Sequence, residues 1–301
     1  MNEMDEMDER RVVVGVDGSP TAQGAALWAG LVADRTRCPL WIVHACTDEF
    51  SSMAGSVVPG EHPFSTRMRR RHARDALQDA LDPVRQHFPN VSVHCGTVPG
   101  PPGPVLAAAG AEAALVVVGA VGVGAAHTLS IGSTAIEVAQ NTPCPVVVWR
   151  GGSPPPPNRA PVLVGVDGSD TSEQTLLTAA EFADLFGAPL LAVQSCSSAH
   201  VGEVTVPDLA DWNNHEKVKR DRLNLAVDAA AVRFPALSIR TLITMNDPHR
   251  VLLERAVSAQ LVVLGSPGGP WGSSGAALGP VSRHLLLHNP CPTMICHNGT
   301  G

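Results

Sequence analysis

The chain repeats itself once, nearly end to end. VVVGVDGSPT beginning at Val12 returns as VLVGVDGSDT beginning at Val162, and PLWIVHA from Pro39 returns as PLLAVQS from Pro189, both at an offset of 150. Further along, the offset falls to 146: the segment around Phe88 answers that around Phe234, and LVVVG at Leu115 answers LVVLG at Leu261. Cys144 and Cys291, each between prolines, differ by 147. Two copies of this length are a domain duplication and not a solenoid, which needs many short units. Between them, GGSPPPPNRA at residues 151–160 carries four consecutive prolines, a stiff extended spacer. The expected organisation is an acidic tail at 1–10, one domain at 11–150, the proline-rich linker, and a second domain at 161–301.

Within the first copy, apolar runs at Val12–Val16, Leu40–His44, Val91–Thr97, Leu115–Val118 and Val146–Trp149 alternate with helix-like stretches. Runs apolar at nearly every residue predict strands buried on both faces, and hence a parallel sheet covered by helices. Ser19 or Thr21 is placed to cap a first helix ending near Arg37; further helices are predicted over Arg67–His87, Val105–Ala113 and from Gly132–Ser133 to just before Pro143. Cys46–Thr66 and Cys196–Trp212 read as long loops. The fold class is therefore α/β, two tandem doubly wound parallel five-stranded sheets.

Composition narrows the function. A net charge of -7 argues against a nucleic-acid partner. Seven cysteines with no C-x-x-C pair suit reduced thiols in the cytoplasm, and the acidic N-terminus does not look like an export signal. The stretch between Glu112 and Glu137 lacks charge, but its glycines and hydroxyls argue against a membrane span.

Ligands of open α/β sheets sit beyond the carboxyl ends of the strands, where strand order reverses. Asp17, Gly18 and Ser19 follow the first strand, and GAVGVGAAHTLSIGST follows the fourth. Glycines admit a phosphate close to the backbone, and the free N–H groups opening the next helix hold its charge. Neither lysine, Lys217 or Lys219, follows a glycine, so there is no Walker A loop; Gly122-x-Gly124 lacks the third glycine of the Rossmann fingerprint.

With VVVGVDGS, the G-x2-G-x9-G-[S/T] pattern from Gly119 to Ser133 and the closing strand Pro143–Trp149, the chain resembles a tandem universal stress protein of the two-domain actinobacterial type. That resemblance implies a Rossmann-like fold of the adenine nucleotide alpha hydrolase kind. It also implies a dimer-like pairing of strands Val146–Trp149 and Thr293–Cys296 that relates the copies by a pseudo-two-fold axis, or a homodimer. In its nucleotide-binding branch it implies ATP, with or without Mg, held by Gly15, Val16, Asp17, Ala45, Val118, Gly119, Gly122, Gly132, Ser133 and Thr134. The second copy offers Gly165, Val166, Asp167, Ser195, Gly265, Gly268 and Gly279 as a weaker set.

Departures from the pattern are local. Val121 stands where relatives often carry arginine, with His127 in the loop as a partial substitute. Pro280 replaces the Ser or Thr, losing a hydroxyl and a backbone donor, for which Ser273, Ser274 or Ser282 are candidate replacements. The arginines at 67, 69, 70, 71 and 74 read as a solvated or ion-paired face, and His284 and His288, at i and i+4, lack a third metal ligand in sequence. No nucleophile–base constellation is legible, and no catalytic or metal residue is assigned. The leading reading is an ATP-binding stress or dormancy regulator acting through conformation or an unidentified protein partner. A slow ATPase or nucleotidyl-transfer enzyme, and a nucleotide-free dimeric scaffold, are the alternatives.

Overall fold

The computed structural model describes residues 11–46, 63–122, 131–151, 159–195, 209–266 and 278–297. The chain divides into two compact units, Met1–Pro154 and Pro155–Gly301.

The first unit runs β1 (Arg11–Gly15), α1 (Pro20–Thr36), β2 (Leu40–Cys46), α2 (Pro63–His87), β3 (Val93–Pro99), α3 (Pro102–Ala109), a short 3-10 turn, β4 (Ala113–Gly119), α4 (Ser133–Asn141) and β5 (Val146–Trp149). Its strands lie in the order β3-β2-β1-β4-β5, every pair parallel. The second unit repeats this as β6 (Val162–Val166), α5 (Asp170–Phe186), β7 (Leu190–Ser195), α6 (Leu209–Arg233), β8 (Ile239–Thr244), α7 (Pro248–Ala256), β9 (Leu261–Gly265), α8 (Pro280–His288) and β10 (Thr293–Cys296), in the order β8-β7-β6-β9-β10 and again parallel. In each unit the order reverses beside the first strand, which therefore has its carboxyl end at the switch point, next to that of β4 or β9.

Burial explains which runs became central strands. Val12, Val13 and Val14 of β1 and Leu115 to Val118 of β4 are all buried. Side chains on both faces of these strands meet helices, as the apolar runs imply. Helix α1 packs close through Ala22, Ala25, Ala26, Ala29 and Ala33, whose small side chains let the helix axis approach the sheet. It starts at Ser19, whose hydroxyl accepts the Ala22 N–H, with Pro20 in the first turn where its missing N–H costs nothing.

Three expectations are corrected. β3 is exposed along nearly its whole length, because it ends the row and the covering helices bury the middle of the sheet. Helices α2 and α6 start at Pro63 and Leu209, inside the segments read as loops. Helix α3 opens at Pro102, three residues before the expected start at Val105, since proline is tolerated in a first helical turn.

Candidate functional site

The domain-one site is assembled from the ends of β1 and β4. Val16 is buried and its N–H donates to the Val43 carbonyl at 2.9 Å, which holds the exit from β1 against β2, near Ala45. Asp17 then turns back on itself: one carboxylate oxygen accepts the Ser19 N–H at 2.9 Å. Two imidazoles fasten the turn from behind. His44 Nδ1 donates to the Val16 carbonyl at 2.8 Å, and His72 Nε2 to that of Asp17 at 3.1 Å. Their rings meet edge to face with centroids 5.9 Å apart. Neither histidine was picked out in the sequence, because nothing in a linear reading brings residues 44 and 72 to residue 17.

From the β4 side, Val118 is buried and Gly119 lies under the first turn of α1. A Cβ on Gly119 would fall 2.9 Å from both Ala22 N and Thr21 Oγ1, so only glycine lets helix and strand end meet. The Thr21 hydroxyl donates to the Val121 carbonyl, tying the loop to α1. A Cβ on Gly122 would fall 2.7 Å from Asp17 Oδ2, so the carboxylate and the second glycine face one another directly. The Gly132 N–H donates to the Ala120 carbonyl at 2.7 Å, closing the neck of the loop. Helix α4 follows with Gly132 at its cap, Ser133 exposed and Thr134 half-buried in its first turn. Asp17, Gly119, Gly122 and Gly132 are thus brought together, with the amino end of α4 beside them. His127 lies outside the described residues.

In domain two the same positions border a cavity of about 380 Å³. Gly165, Val166, Asp167, Ser195, Gly265 and Gly279 line it; Gly268, Ser273 and Ser274 lie outside the described residues. Asp167 Oδ1 accepts the Ser169 N–H at 2.9 Å and the Ser172 hydroxyl at 2.6 Å. Burial by itself would raise the Asp167 pKa, but the bonds from Ser169 and Ser172 outweigh it and hold the carboxyl below its usual range. Ser195 donates to the Asn246 carbonyl and Ser282 to the Gly265 carbonyl, the latter at 3.1 Å. Ser282 is therefore no replacement donor for what Pro280 removes, because its proton is already spent on the strand end.

Sequence reasoning missed Lys219. It reaches the cavity from α6, and its Cγ lies 2.9 Å from where a Cβ on Gly168 would be. At the offset of 146 its counterpart is Ala73, a buried alanine without charge. A comparison of α2 with α6 position by position would have exposed this difference; the lysine alone, on a long charged helix, gives no signal. The arginines of α2 at positions 67, 69, 70, 71 and 74 are exposed, with Arg71 3.7 Å from Asp75. No described helix is long and apolar enough to cross a membrane.

The chain matches the Universal stress protein family over residues 9–150 and again over 158–297. A universal stress protein of Mycobacterium tuberculosis is 33% identical over 289 residues, covering 94% of this chain and 95% of that one. Another, of Mycobacterium bovis, is 31% identical over 289 residues, covering 94% and 96%. Among solved structures, a universal stress protein from Archaeoglobus fulgidus superposes with a TM-score of 0.68 at 15% identity, covering 97% of both chains, which speaks for the fold. A shorter universal stress protein in complex with cAMP covers 46% of this chain and 94% of its own, at 25% identity and a TM-score of 0.32.

Proposed function

Because the chain belongs to the universal stress protein family and carries two of its domains in tandem, we propose that it binds adenine nucleotide at the strand ends just described and works as an ATP-binding regulator of stress or dormancy. The cavity in domain two is the observation that carries this reading. Its volume falls within the roughly 300–1,000 Å³ of small-molecule sites. Its walls are the positions that the sequence motif marks, and domain one builds the same positions into the same turn and strand ends.

The chemistry follows from the parts. The carboxylates of Asp17 and Asp167 are acceptors, suited to the N–H or hydroxyl donors of a nucleoside. Gly119 and Gly122 keep side chains away from the strand ends, and the first turn of α4 adds its free N–H groups and the Ser133 hydroxyl. Domain two starts α8 with Pro280, which has neither donor, and supplies a cation through Lys219. Backbone donors fixed at a helix start are better placed than a lone flexible lysine, so domain one is proposed as the tighter site. Magnesium, if it accompanies ATP, would be held chiefly by the phosphates.

The regulator's output would be a change in conformation or in contact with another protein, driven by the nucleotide's preference for one state. Calorimetric titration of the full chain with ATP tests the reading. Gly122→Ala, which pushes a methyl group into the Asp17 carboxylate, is expected to weaken binding about tenfold or more, in keeping with a lost charge-assisted contact. Undiminished binding in that variant would move the site elsewhere.

A further inference from the structure

Helices α7 and α8 pack against each other in domain two, and their contact carries three histidines. The His249 ring stands edge-on to that of His284 with centroids 4.9 Å apart, and His284 neighbours His288, one turn further along α8, at 4.5 Å. We propose that His249, His284 and His288 form a binding site for a divalent transition metal of the zinc type, bridging the two helices outside the nucleotide cavity.

Distance supports the assignment, and for His249 so does the hydrogen bond that orients its ring. Two imidazoles sharing one tetrahedral zinc, each with a Zn–N bond of roughly 2.0–2.1 Å, place their ring centroids about 5 Å apart, close to both separations seen here. His249 Nδ1 donates to Asp247 Oδ1 at 3.1 Å, so its Nε2 is left to bind. That carboxylate oxygen is itself fixed, accepting the backbone N–H groups of His249 at 2.9 Å and Arg250 at 3.2 Å as the cap of α7. A carboxylate behind a ligating imidazole is the usual outer support of a metal centre. The nearest cation on α7, Arg250, donates to Glu254 at 2.8 Å, so its charge is partly offset. With the rings as they stand, no three donor groups among the described residues meet at a point, and binding requires the α8 rings to turn about their side-chain torsions. His288 is exposed and His284 half-buried, which leaves room for that rotation.

The feature belongs to domain two alone. The corresponding positions in domain one are Gly103, Glu137 and Asn141. A Cβ on Gly103 would fall 2.0 Å from Glu137 Oε2, so α3 and α4 also come close at this point. The duplicated fold supplies the juxtaposition; the second copy fills it with imidazoles. Pro248, next to His249, and Ser282, two residues before His284, line the cavity, so a bound ion would brace two of its walls.

The test is a titration of the metal-free full chain with Co2+, read by its visible spectrum, and with Zn2+ by calorimetry. The expected result is one ion per chain with a spectrum of nitrogen and oxygen ligands, and affinity lowered about tenfold or more in His284→Gln and in His288→Gln. His288→Gln alters an exposed side chain, and an unchanged melting temperature without metal will show that its fold is intact. Absence of binding, a sulfur-to-cobalt charge-transfer band, or affinity unaltered in both variants would each overturn the proposal.

Discussion

Single residues decide the electrostatics of the two sites. Asp167 has a depressed pKa because Ser169 and Ser172 donate to it, so it contributes stability above the unfolded carboxyl pKa of about 3.9 and loses it as pH falls through the lower folded value. Ser172→Ala removes the hydroxyl at 2.6 Å. The carboxyl pKa, followed by NMR, is expected to rise, and the acid-unfolding midpoint to move to higher pH. An unmoved pKa would show that the Ser172 hydroxyl does not set it. The cysteines separate by the same reasoning. Burial pushes Cys296 up to about 12 and Cys144 and Cys291 up to about 11, whereas Cys95 is exposed on β3. Since the thiolate is the reactive form, a disulfide reagent at neutral pH is expected to label Cys95 well before those three, as mass spectrometry of the native protein would show. At this scale the sequence marked Asp17, Gly119, Gly122 and Gly132 through motif spacing. It could not mark His44, His72, Lys219 or His249, whose roles depend on which helix face lands on which turn.

At the scale of elements, the two copies serve as controls for each other. Helix α1 ends at Arg37 with φ +58°, and α5 ends at Gly187 with φ +63°. A left-handed residue with a Cβ costs about 1–2 kcal/mol, partly offset by the greater freedom glycine has in the unfolded chain. Arg37→Gly is therefore expected to stabilise domain one by about 0.5 kcal/mol, and Gly187→Ala to destabilise domain two by about 1 kcal/mol. Urea unfolding of the two variants checks both signs; a stabilising Gly187→Ala would refute the argument. Strand positions were readable because the central strands are apolar on both faces. Helix starts were not, since α2, α3 and α6 open at or near prolines and polar residues that suit a loop equally well. β3 misled for a related reason: its sequence resembles a buried strand, and only its place at the end of the row leaves it exposed.

For the whole molecule, duplication explains why one chain carries two versions of a site. The doubled motif already separated them in sequence, through Pro280 in the place of Ser133. What the sequence withheld was Lys219, which reaches the domain-two cavity from a distant helix. If domain one is the tighter site, removing Lys219 by Lys219→Ala is expected to weaken only a second, lower-affinity binding event in calorimetry. Loss of the first event would reverse the ranking of the domains. The central claim is that the folded chain holds adenine nucleotide at the first strand end of domain one. The most direct test is to purify the chain without added nucleotide, soak it in millimolar ATP, remove the excess, denature it, and measure the adenine nucleotide released per chain. The prediction is a ratio near one, falling sharply in Gly122→Ala. A ratio near zero would contradict it and favour a scaffold that works without nucleotide.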